Sequence, residues 1–152
     1  MSQDKIPPIL LVGFGKMGGA MFSGWREAGL APSIAVDPMQ PASPGPELTV
    51  LADASTIPAD FTPSAVILAV KPQSAADTLP LYRRFAGQAV FLSIMAGRTI
   101  AGMEKLLGEA AIVRAMPNTP AAVRQGVTVG CPNGRVTAAQ RTLCDRLLSA
   151  IG

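Results

Sequence analysis

Short runs of apolar residues alternate along the chain with stretches in which apolar or small residues recur every three to four positions. Continuous apolar runs are typical of strands buried on both faces of a parallel sheet, whereas the second spacing indicates amphipathic helices. The alternation therefore predicts an α/β domain with a doubly wound, mostly parallel sheet and helices on both faces. The predicted strands are Ile9–Val12, Ser33–Val36, Leu48–Leu51, 65–70, 89–93, Ala111–Met116 and 127–129.

Helices are predicted between these strands from their spacing and from their end signals. Residues 16–28 carry apolar or small groups at helical spacing, and Gly29 is placed to end that helix. Ser74 is predicted to cap a second helix, which Pro80 breaks or kinks.

Two further helices are predicted in the second half of the chain. Thr99 is placed to cap a short helix that ends at Gly108. Thr137 and Gln140 form a capping box, from which a last helix is expected to run to the end of the sequence.

Composition narrows the class of protein to which this domain can belong. The 152 residues suffice for one compact domain with its own core, and no apolar run reaches the roughly 18 residues of a membrane span. The chain contains no histidine and two cysteines without metal-ligand spacing, so we expect no Ser-His-Asp triad and no metal site.

The net charge of +3 is small and the basic residues are scattered, so neither nucleic acid nor a membrane is expected as a partner. The amino end does not resemble a signal peptide, and we expect a cytoplasmic protein.

A glycine-rich loop follows the first predicted strand and opens the first predicted helix. It fits the pattern G-x-G-x-x-G, in which the first glycine permits a tight turn and the second lets a pyrophosphate approach the backbone. The third glycine lets the helix lie close to the strand, and the helix N-terminus attracts phosphates. The loop predicts a dinucleotide site on a Rossmann-type fold, and a purely structural glycine turn is the alternative. Its residues are Gly13, Phe14, Gly15, Lys16, Met17 and Gly18.

Asp37 ends the second predicted strand, near the spacing of about 20 residues from the glycine loop at which an acidic side chain binds the adenosine ribose. A carboxylate there repels the extra phosphate of NADP, and no arginine lies in residues 38–46 to hold that phosphate. The sequence therefore favours NAD(H) over NADP(H). The alternative is that Asp37 only forms a turn before Pro38.

Two further loops lie at the carboxyl ends of predicted strands, where doubly wound folds bind ligands. Val70, Lys71 and Pro72 are expected to face the cofactor crevice, unless Lys71 is simply a solvated residue after a strand. Residues 116–120 place two prolines around Asn118, which restricts the loop before any ligand binds. Asn118 is the candidate for positioning a carboxamide or a substrate carboxylate, because its amide both donates and accepts. An ordinary rigid turn is the alternative for this loop.

Together these segments resemble those of the pyrroline-5-carboxylate reductase family, the last enzyme of proline synthesis. The matching stretches occur in the family's order at 12–18, 65–73, 93–97 and 113–121, and those that read AVKPQ and MPNTP are the most specific. The resemblance implies NAD(P)H-dependent reduction of 1-pyrroline-5-carboxylate to proline. It implies cofactor contacts by the glycine loop and by Ala69, Val70, Lys71, Pro72, Ala96, Gly97, Met116, Pro117 and Asn118.

The family also has an all-helical domain that forms the dimer and much of the substrate site. The resemblance therefore implies that residues 1–152 are the NAD(P)-binding domain alone, with cofactor binding but little turnover, and that the complete enzyme is a homo-oligomer. One alternative is another reductase with the same glycine loop, of the β-hydroxyacid dehydrogenase or deazaflavin-dependent type. A non-catalytic nucleotide-binding module is the other.

Overall fold

The computed structural model of the chain describes residues 6–14, 16–39, 45, 47–95, 99–116 and 129–149, and at positions 16, 17, 116 and 129–131 it describes the backbone alone. The strands are β1 (Ile9–Val12), β2 (Ser33–Val36), β3 (Leu48–Leu51), β4 (Ala65–Leu68), β5 (Val90–Ser93), β6 (Ala111–Met116) and β7 (Val129–Pro132). The helices are α1 (Lys16–Glu27), α2 (Ala75–Thr78), α3 (Ile100–Leu107) and α4 (Ala138–Ser149). Short 3-10 segments lie at Ala54–Thr56, Pro72–Ser74 and Leu79–Phe85.

The described strands form one sheet in the order β3-β2-β1-β4-β5-β6-β7. Strands β1 to β6 are parallel, and β7 runs antiparallel to β6. This order confirms the predicted doubly wound, mostly parallel sheet. Because the strand order reverses between β1 and β4, a crevice opens at the carboxyl ends of these two strands.

Each face of the sheet carries its own apolar core. Helices α1 and α4 cover one face, where Trp25 and Leu147 pack with strand residues such as Ile67. Helices α2 and α3 and the 3-10 segment between them cover the other face, where Tyr82 packs with Phe91. Alternate side chains of a strand point to opposite faces, so a sheet covered on both sides requires the continuous apolar runs seen in the sequence. No helix of the described residues is long and apolar enough to cross a bilayer.

The predicted capping residues begin two of the helices. Thr99 Oγ1 accepts a hydrogen bond of 3.0 Å from the amide three residues on, in the first turn of α3. Thr137 and Gln140 make both bonds of the capping box before α4, at 3.0 and 3.1 Å. Helix α1 ends at Glu27, one residue earlier than predicted, and Gly29 then adopts a φ of 90°. A left-handed glycine after a helix is a common way to end it.

Ser74 occupies the predicted N-cap position of α2, but not as a capping side chain. A 3-10 turn already begins at Pro72, whose fixed φ suits a first helical position. The backbone of Ser74 is therefore helical, and its side chain makes no capping hydrogen bond to α2. The predicted break is confirmed, because α2 gives way to the 3-10 segment that contains Pro80.

Three strand boundaries also differ from the prediction. Strand β4 ends at Leu68 instead of residue 70, and β5 begins at Val90 instead of residue 89. Strand β7 continues to Pro132, past the predicted end at residue 129, and residues 127 and 128 lie outside the described part of the chain. The two residues lost from β4 form part of the crevice described below.

Cys144 lies on the inner face of α4 as a free, buried thiol. Burial raises the pKa of this thiol to about 12, with a smaller contribution from the negative charge of Asp145 that Arg141 partly offsets. A thiol with so high a pKa is protonated at neutral pH and reacts poorly. Cys144 is therefore a core residue, and the side chain of Cys131 lies outside the description.

We expect the free energy of unfolding to fall as the pH rises above about 9, because Cys144 loses its proton in the unfolded chain before it does so in the folded one. The thiol contributes a decrease of about 1.4 kcal/mol between about pH 8 and about pH 10. Urea unfolding of the wild type and of Cys144→Ala at both pH values measures this contribution. Equal losses of stability in the two proteins would contradict it.

Candidate cofactor site

Three loops lie side by side at the carboxyl ends of β1, β2 and β4. Gly13 follows β1, and its N–H donates to the carbonyl of Val36 at the end of β2, over 2.8 Å. Ala69 follows β4, and its N–H donates to the carbonyl of Val12 at the end of β1, also over 2.8 Å. The sheet thus brings together the glycine loop, the turn after β2 and the loop after β4, which are three of the predicted cofactor segments.

Gly13 occupies a position that other residues would adopt only with strain. Its φ is 96°, in the region that favours glycine. A Cβ at this position would lie 2.9 Å from the carbonyl oxygen of Ala69 and 3.2 Å from Cγ1 of Val70. Both the backbone conformation and the close approach of the loop after β4 therefore require glycine here, as in a dinucleotide-binding turn.

Gly18, in the first turns of α1, lies directly against the same turn. A Cβ on Gly18 would be 2.6 Å from the carbonyl oxygen of Gly13, a distance that real Cβ atoms essentially never show. The neighbouring Gly19 differs, since no atom of the described residues outside its own turn of the helix lies within 4 Å of its Cβ position. The missing side chain at Gly18 lets α1 begin beside the turn, where the first N–H groups of a helix have no partner within it.

Asp37 joins the turn after β2 to the glycine turn. Its Oδ2 accepts a hydrogen bond from the N–H of Phe14 at 2.8 Å, and its Oδ1 accepts one from Met39 at 2.9 Å. Its own N–H donates to the carbonyl of Leu51 at 2.8 Å, which extends the pairing of β2 with β3. The carboxylate therefore lies beside the glycine turn, and through Met39 it also forms the local turn that was the alternative interpretation.

The side chain of Phe14 supports the glycine turn through aromatic contacts. Its ring is half-buried and meets the ring of Phe22 in α1 edge to face, with centroids 6.1 Å apart and an angle of 76°. The guanidinium of Arg26 lies 5.8 Å from the centroid of Phe22. An edge-to-face pair contributes about 0.5–1.5 kcal/mol, so the turn is held by its side chain as well as by its backbone.

The loop after β4 forms the second wall of the crevice. Ala69 and Val70 are half-buried and pack against opposite cores of the sheet. Lys71 is exposed, and Pro72 opens a 3-10 turn. The loop thus presents an apolar wall with a solvated lysine at its end. Lys71 is placed both to reach a cofactor in the crevice and to act simply as a solvated residue after a strand.

Eight predicted cofactor residues lie wholly or with their side chains outside the described part of the chain. Lys16, Met17 and Met116 are described by their backbone alone. Strand β5 ends at Ser93, three residues before Ala96, and β6 ends at Met116, directly before Pro117. The predicted residues outside the described part of the chain are Gly15, Ala96, Gly97, Pro117 and Asn118.

Sequence reasoning missed a polar contact at the end of β5. Ser93 is fully buried, and its Oγ accepts a hydrogen bond from the N–H of Met95 at 3.2 Å. This bond shapes the chain just before Ala96, one of the predicted cofactor residues. The available signal was a single polar residue that closes an otherwise apolar strand.

The chain was compared with known families, sequences and structures. No protein-family model matches it. The pyrroline-5-carboxylate reductase of Pseudomonas aeruginosa is 36% identical over an alignment 152 positions long, which covers 96% of this chain and 56% of the relative. A pyrroline-5-carboxylate reductase structure from Coxiella burnetii aligns with a TM-score of 0.81 and 26% identity, over 95% of this chain and 56% of that one. The Plasmodium falciparum pyrroline carboxylate reductase with NADP bound aligns with a TM-score of 0.78 and 22% identity, over 98% of this chain and 56% of that one.

These similarities confirm the resemblance to pyrroline-5-carboxylate reductases and the Rossmann-type fold. The chain spans about half the length of the curated relatives it matches. At 22% identity the Plasmodium structure supports the fold alone.

Proposed function

We propose that this chain is the cofactor-binding half of a pyrroline-5-carboxylate reductase and that it binds a nicotinamide dinucleotide in the crevice beyond β1, β2 and β4. The observation that carries the proposal is the glycine turn, in which neither Gly13 nor Gly18 has room for a Cβ. Such a turn at the start of a helix offers backbone N–H groups to a diphosphate. The 36% identity to a reductase over nearly the whole chain supports the same assignment.

The proposed roles follow from the order of the loops along the crevice. The glycine turn and the first turn of α1 would hold the diphosphate, and the loop after β4 would lie beside the nicotinamide half. The segments after β5 and β6 would line the face at which hydride is transferred, with Asn118 as the positioning residue. A bound nicotinamide cofactor would supply the hydride that adds to the C=N carbon of protonated 1-pyrroline-5-carboxylate and gives proline.

The residues of the chain contribute mainly orientation in this proposal. A protonated imine is a good electrophile, so the reaction does not need a strong acid from the protein, which agrees with a chain that lacks histidine. Holding the reacting carbon atoms within about 3–3.5 Å of each other removes much of the entropic barrier. The prolines on either side of Asn118 suit this role, because the sequence predicts that they restrict this segment before the substrate binds.

We favour NAD(H) over NADP(H) as the cofactor. The half-buried carboxylate of Asp37 lies 2.8 Å from the N–H of Phe14, at the end of β2 where an adenosine ribose is held in this type of fold. A phosphate on that ribose would approach a negative charge, and no arginine lies in residues 38–46 to offset the repulsion. The Plasmodium relative was solved with NADP bound, so the test compares both cofactors.

We further propose that turnover needs protein beyond this chain. The chain covers 56% of the Pseudomonas relative, and the helical domain expected from the family resemblance would supply dimer and substrate contacts. The complete protein is then a homo-oligomeric enzyme of the cytoplasm, a compartment that suits the free thiol of Cys144. The chain alone is expected to bind the cofactor and to form little proline.

NADH is expected to raise the melting temperature of the isolated chain, and NADPH is expected to raise it less. Binding at about 100 times the dissociation constant adds about 2.7 kcal/mol, which corresponds to roughly 5–10 °C for a domain of this size. Thermal unfolding followed by circular dichroism, with adenosine as the control ligand, measures the shift.

The possible results separate the parts of the proposal. No shift with either nucleotide would overturn cofactor binding, whereas a larger shift with NADPH would overturn only the preference for NAD(H). Rapid proline formation from 1-pyrroline-5-carboxylate by the chain alone would show that no further domain is needed.

A further inference from the structure

The carboxylate of Asp37 bridges two turns that are distant in sequence. Its Oδ2 accepts the N–H of Phe14 in the glycine turn at 2.8 Å, and its Oδ1 accepts the N–H of Met39 in its own turn at 2.9 Å. Hydrogen bonds to an ionised carboxylate are roughly twice as strong as bonds between neutral groups. With one oxygen held by each turn, the carboxylate has a fixed orientation.

The bond to Phe14 falls where the glycine turn leaves the sheet. The N–H of Gly13 still pairs with a strand carbonyl, that of Val36. One residue later, the N–H of Phe14 is satisfied by a side chain, the carboxylate of Asp37. Because a partly buried N–H is costly to leave unpaired, this bond determines which way the peptide after Gly13 faces.

We propose that Asp37 is a positioning residue, which holds the glycine turn in the conformation that receives a diphosphate, in addition to any contact with the ribose. The inference deepens the proposed function and rests on it. Two contacts of Phe14 fix the glycine turn. Its backbone N–H donates to the carboxylate of Asp37, and its ring packs against the ring of Phe22. Loss of the carboxylate frees the backbone that faces the phosphates.

This role predicts an effect opposite in sign to that of charge alone. A carboxylate beside an anion site repels the anion, so its removal should strengthen the binding of a phosphate ligand if charge were all that mattered. If Asp37 positions the turn, its removal weakens that binding instead. Inorganic pyrophosphate is the decisive probe, because it presents the anionic phosphate oxygens that the turn would bind and has no ribose for the carboxylate to bind.

The experiment uses two variants of Asp37 and one matched control. Asp37→Ala removes both acceptors, whereas Asp37→Asn removes the charge and keeps one acceptor oxygen. Asp53→Ala is the control, because Asp53 follows β3, is exposed and accepts a hydrogen bond at 2.9 Å from Ser55 within its own turn. The control therefore loses the same charge and a similar local bond, but none to the glycine turn.

Three measurements are compared across these proteins. Hydrogen exchange of the Phe14 amide, measured by NMR on the ligand-free chain, reports the bond directly. Calorimetric titrations with inorganic pyrophosphate and with NADH report its consequence for binding. Thermal unfolding establishes that each variant is folded. If Asp37→Ala does not fold, Asp37→Leu, which also removes both acceptors but fills the space of the carboxylate, replaces it in the three measurements.

In Asp37→Ala we expect exchange of the Phe14 amide to be at least about tenfold faster, and pyrophosphate and NADH to bind at least about tenfold more weakly, the change expected from the loss of one bond to a charged group. Asp37→Asn should keep the Phe14 amide protected and bind pyrophosphate at least as tightly as the wild type. Asp53→Ala should match the wild type in all three measurements.

Two results would overturn the positioning role alone. The first is unchanged exchange of the Phe14 amide in Asp37→Ala. The second is pyrophosphate binding by Asp37→Ala that is as tight as in the wild type while NADH binding is lost, because Asp37 would then contact only the ribose. A wild-type chain that binds neither nucleotide nor pyrophosphate would instead overturn the proposed function, and this inference with it.

Discussion

Replacing Gly18 with alanine is expected to weaken NADH binding by at least about 100-fold, or about 2.7 kcal/mol. The new Cβ would lie 2.6 Å from the carbonyl oxygen of Gly13. Because that neighbour is backbone, the contact is relieved only if α1 or the glycine turn moves. Either movement displaces the N–H groups that would hold the diphosphate. Calorimetric titration with NADH measures the loss.

Gly19→Ala is the matched control for this substitution. Gly19 is the next residue of α1, and its Cβ position has no neighbour within 4 Å in the described part of the chain beyond its own turn of the helix. Alanine is favoured over glycine inside a helix by about 0.5–1 kcal/mol. We therefore expect Gly19→Ala to unfold at a slightly higher urea concentration and to bind NADH as the wild type does. If Gly18→Ala also retained full affinity, the close approach of α1 to the turn would not matter for binding.

Replacing Trp25 with alanine is expected to lower the free energy of unfolding by about 3–5 kcal/mol, the usual range for a large aromatic residue lost from a core. Trp25 is 1% exposed and lies in the core beneath α1 and α4. Its Nε1 also donates a hydrogen bond of 2.9 Å to the carbonyl of Leu147. That carbonyl lies in the last turn of α4, where backbone carbonyls have no hydrogen-bond donor within the helix. The substitution therefore removes apolar packing and a tie between two helices.

Urea unfolding followed by circular dichroism measures this loss, since Trp25 is the only tryptophan and its fluorescence disappears with the substitution. Trp25→Phe keeps most of the apolar volume, so we expect an intermediate loss of about 1–3 kcal/mol, which includes the unpaired carbonyl of Leu147. Leu81→Ala is the control, because Leu81 is 59% exposed and its loss should stay within about 0.5 kcal/mol. A similar small effect at Trp25 would contradict the role assigned to it.

Much of the sheet could be predicted because burial on both faces leaves a direct mark on the sequence. The four residues of β1, like those of β4, are all buried and all apolar. The direction of β7 leaves no such mark, because this four-residue strand at the edge of the sheet is too short to show either an alternating or a continuous apolar pattern. Ser74 occupies the N-cap position of α2 without a capping bond, because Pro72 starts a helical turn first and the backbone of Ser74 is already helical.

The candidate site was predictable where its chemistry depends on local sequence. The spacing of Gly13 and Gly18 identifies the turn, and the structure supplies the reason, which is the lack of space for a Cβ at either residue. The bond from Phe14 to Asp37 was not predictable in the same way. It depends on β1 and β2 being neighbours in the sheet, and no short motif encodes that pairing.

The central place of β1 in the sheet bears on how this protein emerges from the ribosome. Strand β1 is made first, yet it pairs with both β2 and β4. The edge of β1 that pairs with β4 stays unpaired until β2, β3 and the connection to β4 have been translated. Unpaired strand edges invite association with other chains. The nascent chain is thus most prone to aggregate between the synthesis of β1 and that of β4, and a chaperone that shields apolar segments would protect it most in that interval.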